Sequence, residues 1–191
     1  MLIHPVPLHQ AALIEMEPIK DSRGYFARSF CKETLANHGI SFDMVQSNIA
    51  FNHIHGTLRG MHFQLPPYCE DKIVSCIQGA IYDVIIDINR ESPTFGKWFG
   101  VTLSEENHLS LYVPKGFAHG YQTLTNNTSI YYMVSEYYTP SSEYGIRWDD
   151  KAFGIEWPIL DDLIISEKDK KWRNFNINTD GILLSKGDEH G

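Results

Sequence analysis

The sequence predicts an all-β fold, a sandwich or barrel, because most of the chain consists of short strand-like segments separated by turn residues. These segments do not alternate with long helical patterns, which argues against a doubly wound α/β fold. Residues 84–88 (VIIDI) are rich in β-branched side chains and predict a strand that is buried on both faces.

The first predicted strand spans residues 13–16 and ends before Pro18 and the turn at 21–24. Residues 32–37 (KETLAN) predict a short helix that ends near Gly39. A few such short helices are expected outside the sheets.

Strands at 72–76 and 80–88 flank Gln78-Gly79 and predict a hairpin. Asn126-Asn127 indicates another tight hairpin turn. Short helical turns are expected at 149–153 and 167–172. The remaining predicted strands are 96–103, 109–113, 121–125 and 129–135.

The chain shows no repeat or linker, and its length fits one domain with a sizeable core. We expect that domain to cover residues 1–175. Residues 176–191 are polar and predict a tail that frays.

Composition and charge exclude several classes of function. The net charge of −8 argues against binding to nucleic acid, and no apolar segment reaches the roughly 20 residues of a membrane helix. The three cysteines form no CxxC pair, so neither disulfides nor structural zinc are expected. Residues 1–10 do not resemble a signal peptide, and we expect a cytoplasmic protein.

The segment 59–64 (RGMHFQ), followed by Lys72, predicts a site for proton transfer on a phosphorylated substrate. A guanidinium such as that of Arg59 suits phosphate, an imidazole suits proton transfer, and an ammonium suits a developing oxyanion. His62 and Gln64 share one face of the predicted strand. A lone histidine is more often structural, and the neighbouring cations favour a catalytic role.

The spacing of Pro114, Gly116 and His119 resembles the second motif of cupin jelly rolls. Metal-binding cupins carry a second histidine where this chain has Gln64, although Glu70 follows. A carboxamide is a poor ligand for a transition metal, so we expect no metal.

Tyr131 and Tyr132 are adjacent on a predicted strand and therefore face opposite sides of the sheet. Aromatic residues in a sandwich usually belong to the core. A tyrosine whose hydroxyl faces substrate can nevertheless donate a proton.

Taken together, these motifs resemble the dTDP-4-dehydrorhamnose 3,5-epimerase family over residues 14–172. The segments that carry the resemblance are DSRGYF (21–26), QSN (46–48), LRGMHFQ (58–64), SPTFG (92–96), PKGFAHG (114–120), WDD (148–150) and SEKD (166–169). The resemblance implies a cupin-type jelly roll, a homodimer and a reaction without metal or cofactor.

The resemblance also implies roles for individual residues. His62 matches the base, Asp169 the carboxylate that orients it, Tyr132 the acid on the opposite face, and Lys72 the cation at the enolate oxygen. The positions that match the binding of a nucleotide-diphosphate-linked sugar are Arg23, Arg28, Gln46, Asn48, Arg59, His119, Tyr138, Glu143 and Lys168.

Arg28 departs from the family, which usually has glutamate there in the nucleotide pocket. Replacing an acceptor with a donor changes which base edge can be read, so cytidine diphosphate is an alternative to thymidine diphosphate. Inversion at C3 only or C5 only also stays open. Alternatives of another class are a metal-dependent cupin enzyme and a non-catalytic sugar-nucleotide binding module.

Overall fold

The computed structural model describes residues 1–184, which form fourteen strands, one α-helix and two short 3₁₀ turns. The strands are β1 (Leu2–Pro5), β2 (Ala12–Glu15), β3 (Ile19–Asp21), β4 (Gly24–Phe26), β5 (Gln46–Asn52), β6 (Thr57–Gln64), β7 (Lys72–Gln78), β8 (Ala80–Asp87), β9 (Trp98–Ser104), β10 (Leu109–Val113), β11 (Phe117–Thr123), β12 (Thr128–Val134), β13 (Glu143–Gly145) and β14 (Ile164–Ile165). The helix α1 spans Lys32–Asn37, as predicted, and the 3₁₀ turns span Pro140–Ser142 and Asp169–Lys171.

The strands form two main antiparallel sheets. The first has the order β1-β2-β10-β7-β12-β5, and the second has the order β13-β6-β11-β8-β9. Strand β14 adds to β6 in parallel, and β3 and β4 form a separate hairpin. The predicted all-β jelly-roll class is therefore confirmed.

The core lies between the sheets and behind them. One buried cluster includes Val74, Ile85, Leu111 and Ile130, which come from strands of both sheets. Residues 84–88 are fully buried, as predicted, because the first sheet covers one face of β8 and the segments that carry Phe153, Trp157 and Ile182 cover the other. Within residues 1–184, no helix has the length and apolar character that crossing a membrane requires.

The predicted hairpin between residues 72–76 and 80–88 is wrong. The two segments are strands, but β7 pairs with β10 and β12 in one sheet, whereas β8 pairs with β9 and β11 in the other. Gly79, with φ of +76°, turns the chain between the sheets. The turn at Asn126-Asn127 likewise joins strands of different sheets. A strand-turn-strand pattern does not distinguish a hairpin from such a corner.

Part of the predicted tail packs against the domain. The amide of Ile182 donates to the carbonyl of Ile88 (2.8 Å), and the guanidinium of Arg90 donates to the carbonyl of Asp180 (2.9 Å). The side chain of Ile182 is 5% exposed. The prediction of a fraying tail is therefore wrong for residues 176–184, because the apolar side chain of Ile182 within this polar stretch packs into the core. Residues 185–191 lie outside the described residues.

A close approach of β6 and β11 shapes the chain beside His62. The register of the two strands shifts between His119 and Tyr121. Gly60 lies at this point with φ of +126°, and a Cβ atom there would be 2.5 Å from the Cα of Gly120. Only glycine fits both the conformation and the space.

We predict that Gly60→Ala destabilises the fold by about 3 kcal/mol or more, because it adds a backbone clash to the strain of positive φ. Gly154→Ala is the control, since Gly154 has φ of +61° and no atom within 4 Å of its Cβ position. That variant should cost only about 1–2 kcal/mol. Guanidinium unfolding of both variants measures the difference, and equal losses would contradict the prediction.

Candidate active site

A cavity of about 430 Å³ opens between the two sheets. Strand alternation directs Tyr132 into it, while Tyr131 packs on the outer face of the same sheet. Tyr132 pairs in register with Asn48 of β5 and Val74 of β7, so three strands form this wall. The predicted site residues that line the cavity are His62, Lys72, Tyr132, Gln46, Asn48, Tyr138 and Glu143.

His62 and Asp169 form a histidine–aspartate pair beside this cavity. The distance from His62 Nε2 to Asp169 Oδ1 is 2.6 Å, and the Gly60 amide donates to Asp169 Oδ2 (3.4 Å). The imidazole is 32% exposed, whereas the carboxylate is 4% exposed. The pair therefore has one buried anion and one imidazole edge, carrying Nδ1, that is left for a ligand.

The pKa of Asp169 lies below its ordinary value. Burial alone raises it, but the hydrogen bond and charge of His62, together with the Gly60 amide and the Ser166 hydroxyl, outweigh burial. Asp169 is therefore an anion at neutral pH, suited to orient the imidazole and to stabilise its protonated form.

Trp172 completes the surroundings of this pair and was missed at the level of sequence. Its indole Nε1 donates to Asp169 Oδ1 (3.3 Å), and its ring stacks on Tyr144. Gly145 leaves space for the ring, because a Cβ atom there would be 2.4 Å from it. The signal available in the sequence was the position of Trp172, three residues after Asp169 and within one turn of it.

Gln64 connects two loops at the other end of the cavity. Its amide nitrogen contacts the carbonyls of Tyr68 (3.1 Å) and Tyr137 (3.2 Å) and the carboxylate of Glu70 (3.1 Å). Its amide oxygen accepts from the Thr139 amide (2.6 Å). The carboxamide at this position therefore connects β6 to the loops that carry Tyr68 and Tyr137. Among the described residues, no group of three or more histidine, cysteine or acidic side chains could hold a metal ion.

Tyr138, Glu143 and Lys168 form a cluster at the rim. The Tyr138 hydroxyl donates to Glu143 Oε2 (2.7 Å), and Lys168 Nζ lies 2.5 Å from the same oxygen. Burial raises the pKa of Glu143, but Lys168 and Tyr138 lower it by more. Strand β13 pairs Glu143 with Gln64 and so holds this cluster beside β6.

A second cavity, of about 410 Å³, shares His62 with the first and adds Arg59, Lys168 and Asp169. Arg59 Nε donates to Asn52 Oδ1 (2.9 Å), and the Asn52 amide donates to the Tyr121 hydroxyl (3.4 Å). Burial raises the pKa of Tyr121 to about 12, so this phenol stays neutral. Lys72 lines the first cavity, and Arg59 and Lys168 line the second, so the imidazole of His62 has cations on both sides.

His119 lies directly opposite His62 on β11 and pairs with the fully buried Asp83. The distance from His119 Nε2 to Asp83 Oδ1 is 2.8 Å, and Asp83 Oδ2 has no hydrogen bond to any described residue. The His119 side chain is 11% exposed and lines neither cavity, although its pairing with His62 places it on the same face of the sheet. The structure therefore places a second histidine–aspartate pair next to the first.

The comparisons with known proteins agree with this geometry. The family model described as dTDP-4-dehydrorhamnose 3,5-epimerase matches residues 5–176. The chain belongs to the dTDP-4-dehydrorhamnose 3,5-epimerase family. A relative of that name from Methanothermobacter thermautotrophicus is 41% identical over 90% of this chain and 92% of its own length. Another, from Sinorhizobium fredii, is 40% identical over 88% of this chain and 87% of its own.

Solved structures of the family superimpose closely. The crystal structure of dTDP-4-dehydrorhamnose 3,5-epimerase from Bacillus anthracis, with TDP and PPi bound, gives a TM-score of 0.88 at 40% identity, covering 91% of this chain and 99% of that one. A 3′-monoepimerase from Streptomyces bikiniensis, in complex with dTDP-quinovose, gives 0.82 at 31% identity, covering 92% and 88%.

Two residues that the family resemblance places in the nucleotide site, Arg23 and Arg28, line neither cavity of this chain. The Arg23 side chain is 88% exposed and pairs with Asp21 (2.6 Å). Tyr25 of the same hairpin lines a cavity with Ile77 and Tyr131, on the outer face of the first sheet. Within one chain, this hairpin is therefore on the side of the sheet opposite Tyr132.

We predict that Asp169→Asn lowers the melting temperature at pH 7 and that the difference from the wild type disappears as the pH falls. The folded pKa lies below the unfolded value of about 3.9, so the stabilisation is present above that value and is lost as pH falls through the folded pKa. Thermal melts from pH 7 down to pH 3 measure this. Glu167→Gln, at an exposed ion pair with Lys170, should show little effect at any pH; a similar shift there would argue against a special role for Asp169.

Proposed function

We propose that this protein is a dTDP-4-dehydrorhamnose 3,5-epimerase, an isomerase that inverts C3 and C5 of a nucleotide-linked 4-keto-6-deoxyhexose. The observation that carries the proposal is the convergence of His62, Tyr132 and Lys72 on one cavity, with Asp169 behind the histidine. The names of the relatives and the ligands in their structures support the substrate class.

His62 is the proposed base. A ketone at C4 acidifies the protons on C3 and C5, because the carbanion that forms delocalises onto the ketone oxygen. With Nε2 of His62 on Asp169, the atom left to accept the proton is Nδ1. The Asp169 carboxylate stabilises the imidazolium that results, and the enolate carries the electron pair.

Tyr132 and Lys72 supply the other two functions that inversion requires. Tyr132 extends from the first sheet, whereas His62 extends from the second, so the two side chains approach a sugar from opposite sides. Tyr132 returns a proton to the carbon from the face opposite the base. Lys72 stabilises the negative charge on the C4 oxygen as it develops. Because these steps are proton transfers only, we propose that no metal or cofactor takes part.

The remaining residues hold the nucleotide diphosphate and the sugar. Arg59 and Lys168 lie in the second cavity, where they can neutralise the diphosphate. Gln46 and Asn48 present polar side chains from β5, and the Tyr138 ring at the rim offers a surface for the base. Glu143 holds Tyr138 and Lys168 in place, and His119 supports the wall beside His62 from the neighbouring strand.

We infer that the protein works as a homodimer, in which a second copy brings Arg23 and Arg28 to the substrate. The hairpin β3–β4 carries Arg23 and leads directly to Arg28, and it lies across the first sheet from the cavity of its own chain. Apolar side chains are exposed on this hairpin and on the outer face of the sheet, which suits burial against a partner copy. These residues are Ile19, Phe26, Ile49, Phe51 and Ile77.

Incubation with dTDP-4-keto-6-deoxyglucose in deuterated water tests the function directly. The wild type should incorporate deuterium at C3 and at C5, which NMR reads separately. Deuterium at C3 alone would instead indicate a monoepimerase, like the structural relative from Streptomyces bikiniensis. No incorporation, together with tight binding of the nucleotide, would indicate a binding module and contradict the proposal.

We expect the enzyme to work in the reducing cytoplasm.

We predict that His62→Ala lowers exchange at both carbons by about 10²- to 10⁴-fold, because one base serves both. His55→Ala is the matched control, since His55 is exposed and lines neither cavity; it should exchange at the wild-type rate. Rates come from deuterium uptake followed by NMR. If His62→Ala exchanges normally, His62 is structural and the mechanism is wrong.

We predict that Arg28→Glu shifts nucleotide preference toward the thymidine-linked substrate and leaves the chemistry intact. Replacing one hydrogen-bonding contact can change the ratio of kcat/KM for the dTDP- and CDP-linked substrates by about tenfold, or about 1.4 kcal/mol. Lys20→Glu, which makes the same change of charge at an exposed position of β3, is the control. An unchanged ratio in Arg28→Glu would show that Arg28 does not read the base.

A further inference from the structure

The proposed mechanism assigns no role to one carboxylate of the active-site cavity, that of Glu70. Its Oε1 atom lies 2.9 Å from Lys72 Nζ. The two side chains are 11% and 12% exposed, so the ion pair lies within the cavity wall and is only weakly screened by solvent. The cation proposed to meet the enolate is therefore already paired in the free protein.

The second oxygen of Glu70 is also occupied. Oε2 accepts from the Gln64 amide nitrogen (3.1 Å), and Gln64 is itself held by the carbonyls of Tyr68 and Tyr137. The carboxylate thus bridges β6 and the first residue of β7. With both oxygens engaged, its orientation is fixed before any substrate binds.

The backbone between Glu70 and Lys72 is fixed as well. The buried Asp71 accepts from the Tyr112 hydroxyl (2.9 Å), the Ser135 hydroxyl (2.9 Å) and the Lys115 amide (3.0 Å). These contacts connect residue 71 to β10, to the loop that follows β10 and to the residue that follows β12. Neither Glu70 nor Lys72 can therefore move by a shift of the chain between them.

We propose that Glu70 is a positioning residue that holds the Lys72 ammonium in the place where the C4 oxygen becomes negative. The proposal rests on the epimerase function proposed above. A lysine side chain has a flexible four-carbon stem, so an unanchored ammonium would spread over several rotamers. One of its three N–H groups binds Glu70, and the other two remain for the substrate. Preorganised charge of this kind acts on the transition state rather than on ground-state binding.

The test compares three substitutions at Glu70. Glu70→Ala removes the acceptor and should lower kcat by at least tenfold, with KM and the Kd of dTDP changed by less than threefold. Glu70→Gln keeps one oxygen for Lys72 but sets its own amide nitrogen against that of Gln64, so kcat should recover only in part, to a value between those of Glu70→Ala and the wild type. Glu70→Asp keeps the charge but shortens the side chain by one methylene group, so the carboxylate no longer reaches Lys72. Its kcat should be as low as that of Glu70→Ala.

Controls separate positioning from folding. Glu91→Ala, at an exposed glutamate outside both cavities, should retain wild-type kcat. Melting temperatures and dTDP binding show whether each variant is folded. Should Glu70→Ala fail to fold, the contrast between Glu70→Asp and Glu70→Gln still decides the question.

A double-mutant cycle tests whether Glu70 acts through Lys72. Lys72→Met alone should lower kcat strongly, and Glu70→Ala should cost nothing further in that background. Stoichiometric enzyme and long incubation in deuterated water make such slow exchange measurable. The proposal is overturned if Glu70→Ala has wild-type kcat, if Glu70→Gln is as impaired as Glu70→Ala, or if the loss is the same in both backgrounds. Absence of exchange by the wild type would instead refute the proposed function.

Discussion

The alternation of side chains along two facing sheets is the constraint on which this structure depends. Every strand turns half of its side chains inward, and the space between the sheets must be either packed with apolar groups or lined with paired polar groups. Here one end of that space is filled by residues such as Ile85 and Leu111, and the other end holds the cavity. The same strands thus build the rigid core and the site, and the site inherits the rigidity of the core.

The end of the space between the sheets that holds the cavity is polar, and it can be largely buried because its charged side chains are paired. The buried and half-buried carboxylates near the cavity are paired: Asp169 has His62, Glu143 has Lys168, and Glu70 has Lys72. Unpaired charges would be costly to bury, whereas these pairs fix the orientation of the groups that line the cavities. Asp83 is the exception in part, because only one of its oxygens has a partner among the described residues.

The hairpin β3–β4 lies outside the space between the two sheets, so the alternation of side chains into that space does not determine its position. It lies on the outer face of the first sheet, where apolar side chains are exposed, and neither cavity of the candidate active site contains Arg23 or Arg28. If Arg23 and Arg28 take part in the proposed nucleotide site, they would have to cross the sheet to do so within one chain. The proposed homodimer would remove that difficulty and would bury the apolar face at the same time.

The all-β class, the helix at residues 32–37 and the family could be predicted from the sequence because they depend on local periodicity and on ordered motifs. Seven predicted site residues do meet in one cavity. The hairpin at Gly79 was mispredicted because local turn signals do not say which sheet the next strand joins.

The alternation along each strand, and therefore which of its residues can share a face, follows from the order of the amino acids. Which faces meet depends on how the two sheets pack. His62 and Asp169 are 107 residues apart, and the partners of Gln64 include Tyr137, 73 residues away. The stacking of Trp172 on Tyr144 and the placement of Arg28 away from the cavity likewise depend on how distant segments pack. No pattern along the chain encodes them, because they form only when the two sheets pack.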